Sequence, residues 1–198
     1  MKKIATTNAL YISIGFILLV WSISVIRNTI YIDSIIAIFD SMPQIFLQSF
    51  ITAVIISLSV VMLLRISKEK MRDIGFTKEN LFKQIRNGVL FGILIFISDT
   101  FLTSPIIDAL LPKTSVQGIN MYKLFNDTNY IAIFLFIGLF KGGFSEEFWR
   151  IFILTRFEKA FGKTGLIIAL MLSSIAFGVG HLYQGLGGMI SIAIIGLF

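Results

Sequence analysis

The chain has no cysteine, one histidine and three prolines among 198 residues, and only 14% of its residues are charged. The missing cysteine excludes a disulfide framework, a thiolate nucleophile and any thiolate-ligated metal. The shortage of charge excludes an ordinary soluble globule, which carries about 25% charged and about 45–50% apolar residues. Here 56% of residues are hydrophobic and the mean hydropathy is +0.89. In water such a chain would expose much apolar surface; in a bilayer, lipid solvates the outside of each helix. Strand-length segments of alternating polarity are missing too, which argues against an outer-membrane barrel. There is no Walker motif, dinucleotide fingerprint or nucleic-acid module. The net charge of +6 sits mostly in the connections between apolar runs, so it reads as topology and not as a nucleic-acid surface.

What is present is a series of apolar runs. The predicted fold class is all-α: a polytopic integral membrane protein with five full transmembrane helices and a truncated sixth, forming one membrane domain over 1–198. Span one runs from about Ala9 to Ile26, with Trp21 and Tyr31 at interfacial positions. The opening Met1-Lys2-Lys3 and Leu10–Val25 resemble a signal peptide, but the apolar stretch is long and no clean cleavage site follows, so it reads as an uncleaved span. Span two runs from Gln44 to Leu64 behind Pro43, which suits a helix start. A basic stretch from Arg65 to Arg86 follows. Within it Ile74-Gly75-Phe76-Thr77 reads as a turn, with Thr77 as candidate cap for an amphipathic helix. Span three covers Gly88–Leu102, and Ser104-Pro105 should disturb or end it. Residues 112–128 form a polar connection. Span four starts near Tyr130, meets Lys141-Gly142-Gly143 and resumes to Leu154. A basic connection with Arg156, Lys159 and Lys163 leads to span five, Gly165–Leu182. From Leu186 only thirteen residues remain, fewer than the roughly 20 a span needs. The last run therefore reads as cut short, with a fragment of a longer chain favoured over a natural, catalytically weakened product. Lys2, Lys3, the basic stretch and Arg156–Lys163 fall on one face if the spans alternate, which predicts a cytoplasmic N-terminus in the cell membrane.

Ionisable groups at membrane depth cost roughly 2.5–3.5 kcal/mol each on the insertion scale, so they are functional candidates. The densest set is Lys141, Glu146, Glu147 and Arg150. On a helix, Glu146 and Arg150 are four apart and share a face, while Glu147 is rotated by about 100°. Two adjacent carboxylates with one arginine leave surplus negative charge, suited to a general base. A solvated ion pair at a helix end is the plainer reading. Against it, Phe148, Trp149 and Ile151–Leu154 continue the apolar pattern past the charges. His181, the only histidine, is open to being an interfacial residue, a metal ligand or a proton carrier. One His with one or two Glu is an incomplete zinc site. The glycines at 178, 180, 185, 187 and 188 suit close helix approach or a simple loop. Asp99 is open to pairing with Lys141 or Arg150, or to facing water on a bent helix. It receives no catalytic role.

These motifs resemble the CPBP family of intramembrane proteases, the CAAX-processing and bacteriocin-immunity group, over residues 72–198. The resemblance rests on Glu146-Glu147 with Arg150, Ile153-Leu-Thr-Arg-Phe-Glu158 and Phe177-x-x-x-His181, with weaker support from Arg72-Asp-Ile-Gly-Phe-Thr77. It implies a membrane-embedded endopeptidase in which Glu146 or Glu147 activates a water against a peptide bond near a substrate C-terminus. Arg150 would be a structural partner, and His181 would orient water, bind metal or stabilise an oxyanion. A divalent ion such as zinc would have Glu146 and His181 as its ligands. The expected partners are a peptide or protein substrate at the membrane and the lipid bilayer, with no nucleic acid. Two departures stand out. The family pattern has three residues between the Glu pair and Arg, whereas only Phe148 and Trp149 intervene here. If Arg150 fixes the register, the family's two Glu positions fall on Ser145 and Glu146. The family's later His, with an Asn one turn beyond, has no counterpart before Phe198. The alternatives are a non-catalytic bacteriocin self-immunity protein and, more weakly, a transporter subunit with a proton path through Asp99 and Glu146.

Overall fold

The computed structural model describes residues 2–38, 41–111 and 128–198. Nearly all of the predicted 112–128 connection lies outside them. The protein is an all-α polytopic membrane protein: among the described residues there is no strand, and four helical stretches are long and apolar enough to cross a bilayer. Helix α1 spans Lys2–Ile30 and the short α2 spans Ile32–Ile38. Helix α3 spans Met42–Ile66, with Pro43 in its first turn, where a missing N–H costs no intrahelical bond. A single 3₁₀ turn, Met71–Ile74, is closed by Lys70 N–H donating to the Asp73 carboxylate at 2.7 Å.

Thr77 does not cap the next helix. Helix α4 spans Leu81–Ser98 behind Asn80, which sits at φ +52°, a left-handed conformation that Asn tolerates better than most residues. The Thr77 hydroxyl instead accepts the Glu79 N–H at 2.9 Å, a local turn that competes with helix. Pro105 disturbs span three without ending it. The chain widens into a π turn, Asp99–Thr103, and continues as α5, Ser104–Leu110. Ser104 N–H reaches back five residues to the Asp99 carbonyl, so the helix absorbs the proline by adding a residue to one turn.

The last third of the chain is α6 (Thr128–Ile137), a π segment (Gly138–Glu146), α7 (Glu147–Val179), a 3₁₀ turn (Leu182–Gln184) and α8 (Gly185–Ile195). Residues Tyr130–Val179 form one 50-residue helical stretch. Straight, it would be about 75 Å long, far more than a bilayer core of roughly 30 Å. It is not straight: Gly162 has φ +64° and ψ −152°, a conformation open essentially only to glycine. The stretch folds back there into two limbs, 130–161 and 163–179, which correspond to predicted spans four and five. Gly165 sits so close to the first limb that a Cβ would lie 2.4 Å from the Phe157 carbonyl oxygen. Ala169 of the second limb joins Phe148, Phe152, Ile153 and Phe157 of the first in one core with Ile14 and Ile17 of α1 and Val60, Leu63 and Leu64 of α3.

The fold-back changes one reading of the sequence. Arg156 and Lys159 are not in a solvated connection; they are on α7, before the turn at Gly162. The Arg156 side chain is 1% exposed and pairs with Glu69 of the α3–α4 connection, as does Lys159. Two basic residues that look like topological signals thus tie that connection to α7.

Candidate functional site

The site begins in the π segment. Gly142 and Gly143 carry no side chain and low helix propensity, and the backbone there winds with the wider π turn. In such a turn residues five apart come together. That register sets Lys141 Nζ 3.0 Å from Glu146 Oε1. Ser145 points the other way. It is fully buried against α3, donating to the Ala53 carbonyl at 3.1 Å, with the Ser57 hydroxyl 3.5 Å away. The expected Glu146–Arg150 pair does not form. Glu147, the first residue of regular α-helix, pairs with Arg150 three residues on, at 3.4 Å. The local change from π to α geometry explains the swap: Glu146 belongs to the wide turn and faces back to Lys141. The Lys141 and Glu146 side chains are 29% and 22% exposed, whereas Glu147 is 48% exposed.

The second limb brings His181. It follows the end of α7, and its N–H donates to the Gly178 carbonyl at 2.8 Å. Its Nδ1 lies 2.9 Å from the Phe177 carbonyl. A carbonyl only accepts, so Nδ1 carries a proton, and in the neutral ring Nε2 is then the atom with a free lone pair. The Phe177 ring meets the imidazole edge-on at 4.8 Å. Of the two readings of the glycine run, close approach holds at Gly178, where a Cβ would lie 2.5 Å from the Met189 carbonyl oxygen of α8.

Glu146, Glu147, Arg150 and His181 all line one cavity of about 320 Å³, together with Lys141. A straight helix would hold residues 147 and 181 about 50 Å apart; the turn at Gly162 is what makes them neighbours. The charges of both Glu146 and Lys141 act on His181 and on the Tyr183 hydroxyl. The cavity's other wall comes from α1 and α3, through Ser24, Arg27, Gln48, Ser49 and Thr52. Sequence reasoning passed over these residues. Their signal is a polar stripe at helical spacing on otherwise apolar spans. Trp21, predicted at an interfacial position, lines the cavity as well. Asp99 is not among the lining residues; it accepts a hydrogen bond from Ser191 of α8. Asp99 and Glu146, which the transporter reading joins in one proton path, do not share this cavity.

The arrangement does not fit a catalytic zinc, which takes three protein ligands and a water. Among the described residues no three His, Asp or Glu side chains converge. The Glu146 carboxylate already has an ammonium beside it. Glu146 and His181 do border the same cavity, whose lining is mostly apolar.

Residues 127–198 match the family model described as Type II CAAX prenyl endopeptidase Rce1-like. This segment contains both limbs of the fold-back and all four predicted site residues. No curated protein and no solved structure matches the chain.

Proposed function

We propose that this chain, a member of the CAAX-protease family through its Rce1-like residues 127–198, is an intramembrane endopeptidase with Glu146 as general base. The observation that carries the reading is the shared cavity: a partly exposed carboxylate and the chain's only imidazole line one half-open, mostly apolar volume. Glu146 takes a proton from a bound water as that water attacks a peptide carbonyl carbon. His181, held through Nδ1 by the Phe177 carbonyl, presents Nε2 to position the water. Arg150 holds Glu147, so that pair shapes the wall and leaves Glu146 to the reaction. A general base in register contributes roughly 10²–10⁴-fold to rate.

The substrate class in this reading is a peptide whose scissile bond lies near the membrane and near its C-terminus, such as a prenylated Cys-aliphatic-aliphatic-X tail. The N-terminus is cytoplasmic and the protein sits in the cell membrane, as the loop charges indicate. The test is hydrolysis of a quenched, farnesylated peptide of that type by the purified protein in proteoliposomes. Glu146→Ala, Glu147→Ala and His181→Ala are compared at equal folded fraction. Glu146→Ala and His181→Ala should abolish turnover, and Glu147→Ala should reduce it less. Unchanged turnover in all three would sink the proposal. Nothing in the fold or the comparisons favours bacteriocin self-immunity by partner binding, in which protection would survive these substitutions.

A further inference from the structure

Peptide hydrolysis needs a group that meets the negative charge developing on the carbonyl oxygen, and this is often the largest catalytic term. Metal-dependent hydrolases supply it with a bound cation; the donor set here does not fit one. Among the described residues three cations line the cavity: Arg27 on α1, Arg150, which pairs with Glu147, and Lys141. Lys141 is on the same π segment as Glu146, and its ammonium lies 3.0 Å from the carboxylate. An ammonium has three N–H donors. Glu146 is its ion-pair partner among the described residues, so donors remain for a second acceptor beside the attacked carbon. His181 and the Tyr183 hydroxyl both feel its charge.

We infer that Lys141 is the site's built-in cation and a catalytic residue, donating a hydrogen bond to the oxyanion formed on the scissile carbonyl. The inference rests on Glu146 as the base. Water oxygen bonds to the carbonyl carbon and gives a proton to Glu146, and the C=O π pair moves onto the oxygen, where Lys141 meets it while staying protonated. The pair then returns, the C–N bond breaks, and the leaving nitrogen takes the proton held on Glu146. Water is consumed, an acid and an amine are produced, and the site ends as it began.

Three measurements on the full chain in proteoliposomes test this. With the farnesylated peptide, Lys141→Met should lower kcat at least about 100-fold with KM changed by less than about threefold, and Lys141→Arg should recover most of the loss because it keeps a charged donor. A phosphinate analogue of the same peptide, which carries a fixed oxyanion, should lose affinity for Lys141→Met by a similar factor, although uncleaved substrate still binds. Equilibrium dialysis with zinc should show no stoichiometric binding to the wild type. Full activity in Lys141→Met alongside a dead Glu146→Gln would overturn the Lys141 role and leave the base intact. An active Glu146→Gln would remove the base on which the role depends. If the wild type does not turn over, the analogue and zinc arms decide. Unchanged analogue affinity, or one zinc bound through Glu146 and His181, overturns the inference.

Discussion

Helix α7 and the π segment leading into it carry two charged clusters. At one end Lys141, Glu146, Glu147 and Arg150 border an open volume. Toward the Gly162 turn, Arg156 and Lys159 close on Glu69, with the Arg156 guanidinium 4.9 Å over the Phe152 ring and 1% exposed. The residue types are the same and both sets interrupt apolar sequence. What differs is the surroundings, since Glu69 and Glu146 are each 22% exposed. Around Arg156 the ions are consumed by one another and by an aromatic face, so the cluster serves packing. Around Glu146 a partly exposed pair borders the cavity of about 320 Å³. Charge at membrane depth therefore has two meanings here, and the cavity separates them.

The contrast breaks first, and by the largest margin, at Glu69. Glu69→Ala leaves Arg156 charged, buried and short of its carboxylate, a change that typically costs about 3–5 kcal/mol. The melting temperature in detergent should drop clearly, while hydrolysis per folded molecule should not. An unchanged melting temperature would mean that the cluster is not sealed. At Gly162, alanine would have to adopt φ +64°, a strain of about 1–3 kcal/mol. Because the turn joins the two limbs, Gly162→Ala should lower both stability and activity. Ser145→Ala removes the buried bond to the Ala53 carbonyl and should cost about 1 kcal/mol; melting temperature again reports it. The smallest effect is at Glu147. Its pair with Arg150 is half exposed, worth under about 1 kcal/mol, so Glu147→Gln should leave melting nearly unchanged and turnover within a few-fold.

The membrane character and the positions of the spans were legible in the sequence because they depend on apolar runs and loop composition alone. The four residues that share the cavity were legible for a related reason: Glu146, Glu147, Arg150 and His181 each cost free energy in lipid, which singles them out as candidates. Pairing was not legible. The expectation that Glu146 meets Arg150 assumed 3.6 residues per turn, and the π segment at Gly138–Glu146 does not keep that period. Nor was the place of Arg156 legible, since a buried arginine and a loop arginine read alike until Glu69 is seen against it. The α1 and α3 wall was missed because Ser, Thr, Gln and Asn are tolerated in spans and attract little notice singly. Ser24 and Asn28, or Gln48 and Thr52, carry information only when their common face is considered.

The claim at the centre is that Glu146 acts and Glu69 holds. The most direct measurement is the rate of hydrolysis per folded molecule, with melting temperature, for Glu146→Gln and Glu69→Gln side by side in the same proteoliposomes. Glu146→Gln should lose about 10²–10⁴-fold in rate and melt as the wild type does, while Glu69→Gln should melt lower and keep its rate per folded molecule. Full turnover by Glu146→Gln, with wild-type melting, would contradict the account.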